Sequence, residues 1–348
     1  MSEEVQIEIR KSILHILDNN AVMPVLSSAE QPLEGEVEQF LEKHLLKILN
    51  TEDIRTAYFE EGSKLREICA ALLGSARESG ELFIESSSAI AQHLFAIMRN
   101  HVDIPAADLI CCTFELDGEL HLGVLKMNYR PSFIHHVAAV ESGNRNYLIK
   151  QLTTLPGEGQ KVDECALINL VTQEIKLIEK KYEIDGEKRY YFSELFLQCA
   201  ADISTREKLR LFKKVAEEFN RKYRDDDIMV AAEISKAVSD CATEAHTRGG
   251  EEEVNFNEVA ERAFGKNPEL QRNFVAQLES AGLKESPLKA GEKLIEKHFR
   301  KQKLETDNGI EITLPVDYYQ DPDKVEFINN PDGTVSLLIK NTRINVKS

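Results

Sequence analysis

Asp163 and the triplet Glu174-Ile175-Lys176 are the residues of this chain whose types and spacing come nearest to phosphodiester chemistry. Two carboxylates can hold a magnesium ion, and a lysine on the same strand face can orient water or meet the charge that develops on a phosphate. Read that way, the chain is a metal-dependent nuclease. The same triplet arises easily by chance where 30% of the residues are charged, and the expectation is therefore a protein without enzymatic turnover.

Other constellations carry less chemistry. His135-His136 with Asp103 or His101 invites a metal reading, but adjacent side chains diverge in either regular structure and no third ligand is fixed. The six cysteines show no C-x-x-C spacing and read as small buried hydrophobes; Cys111 and Cys112, being adjacent, would point to opposite faces of a strand. The phosphate-cradling and nucleophile-elbow motifs G-x-x-x-x-G-K-[ST], G-x-G-x-x-G and G-x-S-x-G are absent. No cofactor and no metal are expected.

The net charge of −17 repels phosphate, so any nucleic-acid contact must sit on a local basic patch and weaken with salt. Two such patches are predicted. On a helix from Arg206 to Arg224, Leu209, Phe212, Val215, Ala216, Phe219 and Tyr223 share one side at 100° per residue. Arg206, Arg210, Lys213, Lys214, Arg221 and Arg224 take the other, interrupted by Glu217. A further helix, Pro287 to Lys303, sets Lys289, Lys293, Lys297 and Arg300 opposite Leu294, Ile295, His298 and Phe299, with Lys301 at the border. Solvated faces of ordinary amphipathic helices look the same, so each strip alone is a weak mark. Contacts of this kind meet a charge that every base step carries and imply little sequence preference.

The elements that must position these residues follow from periodicity. Val5 to Leu26 alternates around a break at Asp18-Asn19-Asn20, which reads as strand, turn, strand, although Ile13, Leu14, Ile16 and Leu17 also fit a helical face. Helices are predicted over Leu33 to Leu49, Glu61 to Leu73 and Ser87 to Arg99. "LICCTFELDGELHLGVLKMNY" is a hairpin turning at Asp117-Gly118, Ala166 to Ile184 is extended, and Asp185-Gly186 marks another turn. Gly143-Asn144-Arg145-Asn146 is polar and turn-prone, and the region from Asn128 to Asn146 reads as a long loop or a ligand-facing segment. Beyond Thr205 the period becomes helical, with breaks at Arg248-Gly249-Gly250 and Gly265-Lys266-Asn267-Pro268.

Near the end, "KVEFINNPDGTVSLLIKN" alternates on both sides of Asn330-Pro331-Asp332-Gly333, a second strong hairpin. Its Val325, Phe327, Val335, Leu337 and Ile339 are expected to pack against the helical module or a second subunit, and its basic residues are few beyond Lys324, Lys340, Arg343 and Lys347. The predicted fold class is α+β: an antiparallel sheet with flanking helices over residues 1–203, followed over 204–348 by a helical module ending in a β-hairpin.

The order of the central hairpin "CCTFELDGELHLGVLKMN", the short strand "YYFSELFLQC", the helix "REKLRLFKKVAEEF" and the terminal "DYYQDPDKVEFINNPDGTVSLLIKN" resembles the bacterial nucleoid-associated protein family called NdpA-like, over nearly the whole chain. The resemblance implies a cytoplasmic protein found with the nucleoid, with double-stranded DNA or chromosome-associated proteins as partners, and no established chemistry. It brings no site residues of its own.

An acidic N-terminus where a secretory signal would be basic, and the lack of any apolar run near the roughly 18 residues a membrane helix needs, agree with a cytoplasmic location. The resulting expectation is a nucleoid-associated protein that binds DNA non-specifically through its basic helix faces. The alternatives are an adaptor brought to the chromosome by a protein partner, and the nuclease. A homodimer would let two weak strips act together.

Overall fold

A computed structural model describes residues 7–75, 80–224, 227–247, 253–265, 267–283, 288–289 and 292–343. The chain divides into two compact units, Met1–Ser204 and Thr205–Ser348.

The first unit runs β1 (Ile7–Leu17), α1 (Glu36–Leu49), β2 (Arg55–Phe59), α2 (Lys64–Ser75), α3 (Gly80–Asn100), β3 (Ala107–Leu116), β4 (Glu119–Asn128), β5 (Ser132–Val140) and β6 (Gly143–Gln151). It continues with β7 (Glu164–Asn169), β8 (Glu174–Ile178), β9 (Tyr182–Ile184), β10 (Glu187–Arg189) and β11 (Cys199–Ala201). Seven strands form one antiparallel sheet in the order β1-β3-β4-β7-β8-β2-β11. At its centre the β3–β4 turn places Asp117 at φ 52° and Gly118 at φ 81°, the double left-handed geometry that matches the twist of a two-residue hairpin.

Both faces of this sheet are covered, which explains why β3 and β4 are apolar without a gap. Leu109, Cys111, Leu122 and Val124 face Leu65, Cys69, Ile90, Leu94 and Met98 of α2 and α3. Ile110, Cys112, Leu125 and Met127 face Leu41, Leu45 and Ile48 of α1. Adjacent Cys111 and Cys112 thus point to opposite faces, and all six cysteines are free and buried. Burial pushes the Cys69 and Cys112 thiols up to about 12. A β-bulge between Ile9 and Lys11 shifts the register against β3. It carries Ile9 to the α1 face while Ile13 stays on the α3 face, although both positions are odd.

Three sequence expectations are corrected here. The second N-terminal strand is reduced to a single bridge between Ile16 and Val25. The expected strand within "YYFSELFLQC" is a wide helical turn, Phe192–Leu197, followed by the short strand β11. The expected loop from Asn128 to Asn146 is mostly a β-ribbon, with β5 and β6 paired from Ser132↔Gln151 to Val140↔Gly143. Its alternation was invisible because apolar side chains occupy both of its faces.

The second unit holds α4 (Thr205–Arg224), α5 (Ile228–Thr247), β12 (Glu253–Val254), α6 (Phe256–Phe264), α7 (Pro268–Leu278), β13 (Leu288–Lys289) and α8 (Glu292–His298). Two hairpins close it: β14 (Lys301–Glu305) with β15 (Glu311–Pro315), and β16 (Val325–Asn329) with β17 (Val335–Ile339). Aromatic rings set its core. Phe212 of α4 lies 5.6 Å from Phe256, 6.0 Å from Phe274 and 5.8 Å from Phe299, ring centre to ring centre. Asn255 and Asn267 cap α6 and α7 by accepting from backbone N–H groups, with Pro268 starting α7. The break expected at Arg248-Gly249-Gly250 lies outside the described residues.

The terminal hairpin turns as its residues require: Gly333 N–H donates to the Asn330 carbonyl at 3.1 Å and Gly333 takes φ 84°. Val325 is buried and Phe327 and Leu337 pack against the cluster of Ala232, Leu314 and Tyr319, while Val335 and Ile339 stay exposed.

Candidate nucleic-acid interface

Helix α4 is amphipathic as its spacing demands. Leu209, Phe212, Val215 and Phe219 are buried, and Arg206, Arg210, Lys214 and Arg221 are exposed. Neighbouring carboxylates partly offset the strip: Arg210 lies 4.0 Å from Glu207 and Lys214 3.8 Å from Glu218. Pairs this exposed contribute about 0.3–0.5 kcal/mol and yield readily to a phosphate. Lys213 leaves the strip. Its Nζ sits 3.2 Å from Nδ1 of His298 and 5.6 Å from the centre of the Phe299 ring.

The second strip is not one helix. Lys289 belongs to β13, opposite Glu253, and α8 covers only Glu292–His298. Within α8, Lys297 is exposed, one turn on from Lys293. Arg300 follows the helix with a guanidinium nitrogen 3.6 Å from Glu296. The chain then turns into β14, because Lys301 to Glu305 finds a partner strand in Glu311 to Pro315. The side chains of Arg224, Lys289 and Lys293 lie outside what the structure describes.

What the fold does bring together is different. A cleft of about 630 Å³ lies between α4, α5 and β14, and Lys213, Arg221, Lys301 and Lys303 line it with Glu217 as the single carboxylate. Lys303 is held 2.5 Å from Glu311. Asn220, also in the wall, is buried and donates through Nδ2 to the Asp227 carbonyl at 2.9 Å, leaving Oδ1 without a partner. Gln302 Oε1 is a second buried acceptor without a partner in the same wall. Chemically this is a concave cationic surface suited to a ligand with phosphates.

Sequence reasoning missed the part of Lys303 and Gln302 in this cleft. The signal was present in "KQKLE", where Lys301 and Lys303 alternate with Gln302 and Leu304 at a strand's period of two.

The nuclease constellation is not assembled. Asp163 directs one oxygen to Arg130 at 2.6 Å and the other to Lys180 at 2.7 Å. Burial alone would raise its carboxyl, but the hydrogen bonds from Lys180 and Asn128 and the charges of Lys180 and Arg130 outweigh it and hold the group below the ordinary range. Glu174 lies at the far end of β8, six residues and about 20 Å from Lys180. There it accepts from the Tyr58 hydroxyl at 3.1 Å and pairs with Lys176 at 2.5 Å. The E-x-K triplet is thus a surface ion pair on one strand face. His135 and His136 lie opposite Leu148 and Tyr147 on the two sides of the ribbon. Among the described residues no three His, Cys, Asp or Glu side chains could hold a metal ion, and no helix is long and apolar enough to cross a membrane.

The chain matches no curated protein. The family model described as nucleoid-associated protein YejK matches residues 13–347, both units and nearly the whole chain. The match runs through both units, and this chain belongs to the family of the nucleoid-associated protein YejK.

Proposed function

We propose that this chain binds double-stranded DNA through its backbone phosphates, using the cationic cleft of the second unit. Lys213, Arg221 and Lys301 form its core. Arg206, Arg210 and Lys214 extend it along α4, and Lys297 and Arg300 flank it, with Lys289, Lys293 and Arg224 as further candidates. The observation that carries the reading is the gathering of four cations around one concavity, Lys303 among them paired with Glu311 and Glu217 the one carboxylate in the lining, in a chain of net charge −17. Phosphate contacts position a protein without reading bases, so the binding is non-specific in sequence. Work at the nucleoid, in the cytoplasm and as a homodimer presenting two clefts, follows from this reading, because two weak sites held together gain by avidity.

The test is a gel shift on random duplex at low and physiological salt, with and without magnesium. Arg221→Glu combined with Lys301→Glu should abolish retention, and the milder Arg221→Gln with Lys301→Gln should lower the slope of log affinity against log salt by about 1.8. Retention that both variants leave unchanged would favour a second reading, an adaptor held at the chromosome by a protein partner, to which the net charge of −17 points. Magnesium-dependent cleavage would revive the nuclease.

A further inference from the structure

The β5–β6 ribbon is the least explained part of the fold. Every residue in it is exposed except Ala138, which is half-buried. Cross-strand register sorts its side chains onto two faces. Phe133, Val137 and Leu148 stand on one, exposed by 67%, 53% and 70%. Ile134, Val140, Tyr147 and Ile149 stand on the other. An isolated two-stranded ribbon is marginal in water, and this one exposes apolar side chains on both sides. A flat partner would cover one face and leave the other wet. Only a site that takes the ribbon between two surfaces covers both.

The same unit carries a groove that can supply one of those surfaces. It has a volume of about 570 Å³ and is lined by Leu14, Val37, Phe40, Leu41, Ile110 and Leu155. Glu36 and Glu158 stand in its wall, Glu158 being 2.8 Å from Lys43. Leu155 follows the ribbon by four residues, and the ribbon's base is closed where Arg130 N–H donates to the Thr154 carbonyl at 2.8 Å. The ribbon thus leaves the body beside the groove and does not fill it. Each face carries one cation, Lys150 with Phe133 and Arg145 with Tyr147, so the face that enters the groove brings one positive charge to Glu36 and Glu158.

We propose that the ribbon is an exchange arm, each copy of this chain laying its arm against the arm of a second copy and into that copy's groove. One face then packs arm against arm and the other packs in the groove, so a single two-fold arrangement covers both faces and closes at two subunits. Its size is sufficient. A ribbon of nine-residue strands is about 30 Å long and about 10 Å wide, so two arms and two grooves bury roughly 1,800 Å², within the range of about 1,200–2,000 Å² for specific interfaces. This arrangement names the surface of the homodimer proposed above and stands whether or not the cleft binds DNA.

Sedimentation of the full chain from 0.5 to 50 μM is the test, with a thermal melt as the control for folding. The wild type is expected to dimerise. Phe133→Ser with Leu148→Ser on one face, and separately Ile134→Ser with Tyr147→Ser on the other, should each raise the dimer dissociation constant at least ~30-fold. Val37→Asp in the groove should do the same, and Arg221→Glu with Lys301→Glu should leave it unchanged. Val140→Cys mixed with Val37→Cys should yield a disulfide-linked heterodimer under mild oxidation. A wild type that stays monomeric to 50 μM overturns the proposal, and so does a dimer that survives the loss of either arm face.

Discussion

Lys126 Nζ stands 2.8 Å from Glu164 Oε2, directly across the β4–β7 ladder, and neither side chain reaches solvent. Burial pushes the Lys126 amine below its usual range, opposed by the charge of Glu164. Asn128 joins the pair, accepting from Lys126 at 2.5 Å and donating to Glu164 at 3.1 Å. A buried charge tolerates its surroundings only while its partner remains. Glu164→Ala should therefore cost about 3–5 kcal/mol, whereas Lys126→Met with Glu164→Leu should recover much of that loss. Urea unfolding of Glu164→Ala, Lys126→Met, Glu164→Leu and the double variant checks it; losses of Lys126→Met and Glu164→Leu that simply add in the double variant would show that the pair is not coupled.

His15 makes acid a destabiliser. It is fully buried, accepts the Ser27 N–H at Nδ1 (3.1 Å), and so donates from Nε2 to Ser87 Oγ (3.0 Å), which in turn donates to the Ile84 carbonyl (2.9 Å). A second proton has no acceptor there, and burial lowers the pKa to about 4 from 6.5. Between those values the unfolded chain binds the proton and the native one does not, so stability is intact above pH 6.5 and falls as pH drops toward 4. The loss is about 3 kcal/mol in full and about 2 kcal/mol by pH 5. Burial lowers His44, His93 and His121 as well, and they add in the same direction. Unfolding free energies at pH 7 and pH 5 should differ less in His15→Gln than in the wild type by about 2 kcal/mol.

Gly123 is required by close approach. It faces Cys112 across the β3–β4 ladder, and a Cβ there would lie 2.7 Å from Cys112 Sγ and 3.1 Å from Leu125 Cδ1. Overpacking of this kind costs about 1–3 kcal/mol. Gly123→Ala should lower the melting temperature, and Cys112→Ala in the same chain should restore part of it by removing the sulfur. Equal melting of the single and double variants would locate the strain elsewhere.

Glu174 gives the opposite expectation. Its partners Tyr58 and Lys176 share an exposed patch of the sheet, and exposed pairs contribute about 0–1 kcal/mol. Glu174→Ala should leave DNA retention unchanged and stability within about 1 kcal/mol of the wild type. A DNA-cleavage signal that vanished with this substitution would contradict the separation of Glu174 from Asp163.

The features legible in the sequence were those decided by neighbours along the chain. Asp117-Gly118 and Asn330-Pro331-Asp332-Gly333 set their turns through φ, the 3.6-residue period put Arg206, Arg210 and Arg221 on the exposed side of α4, and the period of two sent Cys111 and Cys112 to opposite sides of the sheet. Long-range pairing decided the rest. Lys301–Glu305 continues a helical pattern until Glu311–Pro315 pairs with it. Glu174 reads as a metal ligand until the β2–β8 ladder places Tyr58 beside it. The β5–β6 ribbon shows no amphipathic period because neither of its faces meets the body. Local spacing determines which residues share a face; only tertiary contact determines what that face meets, and so whether its charge is spent on a carboxylate or left to receive a phosphate.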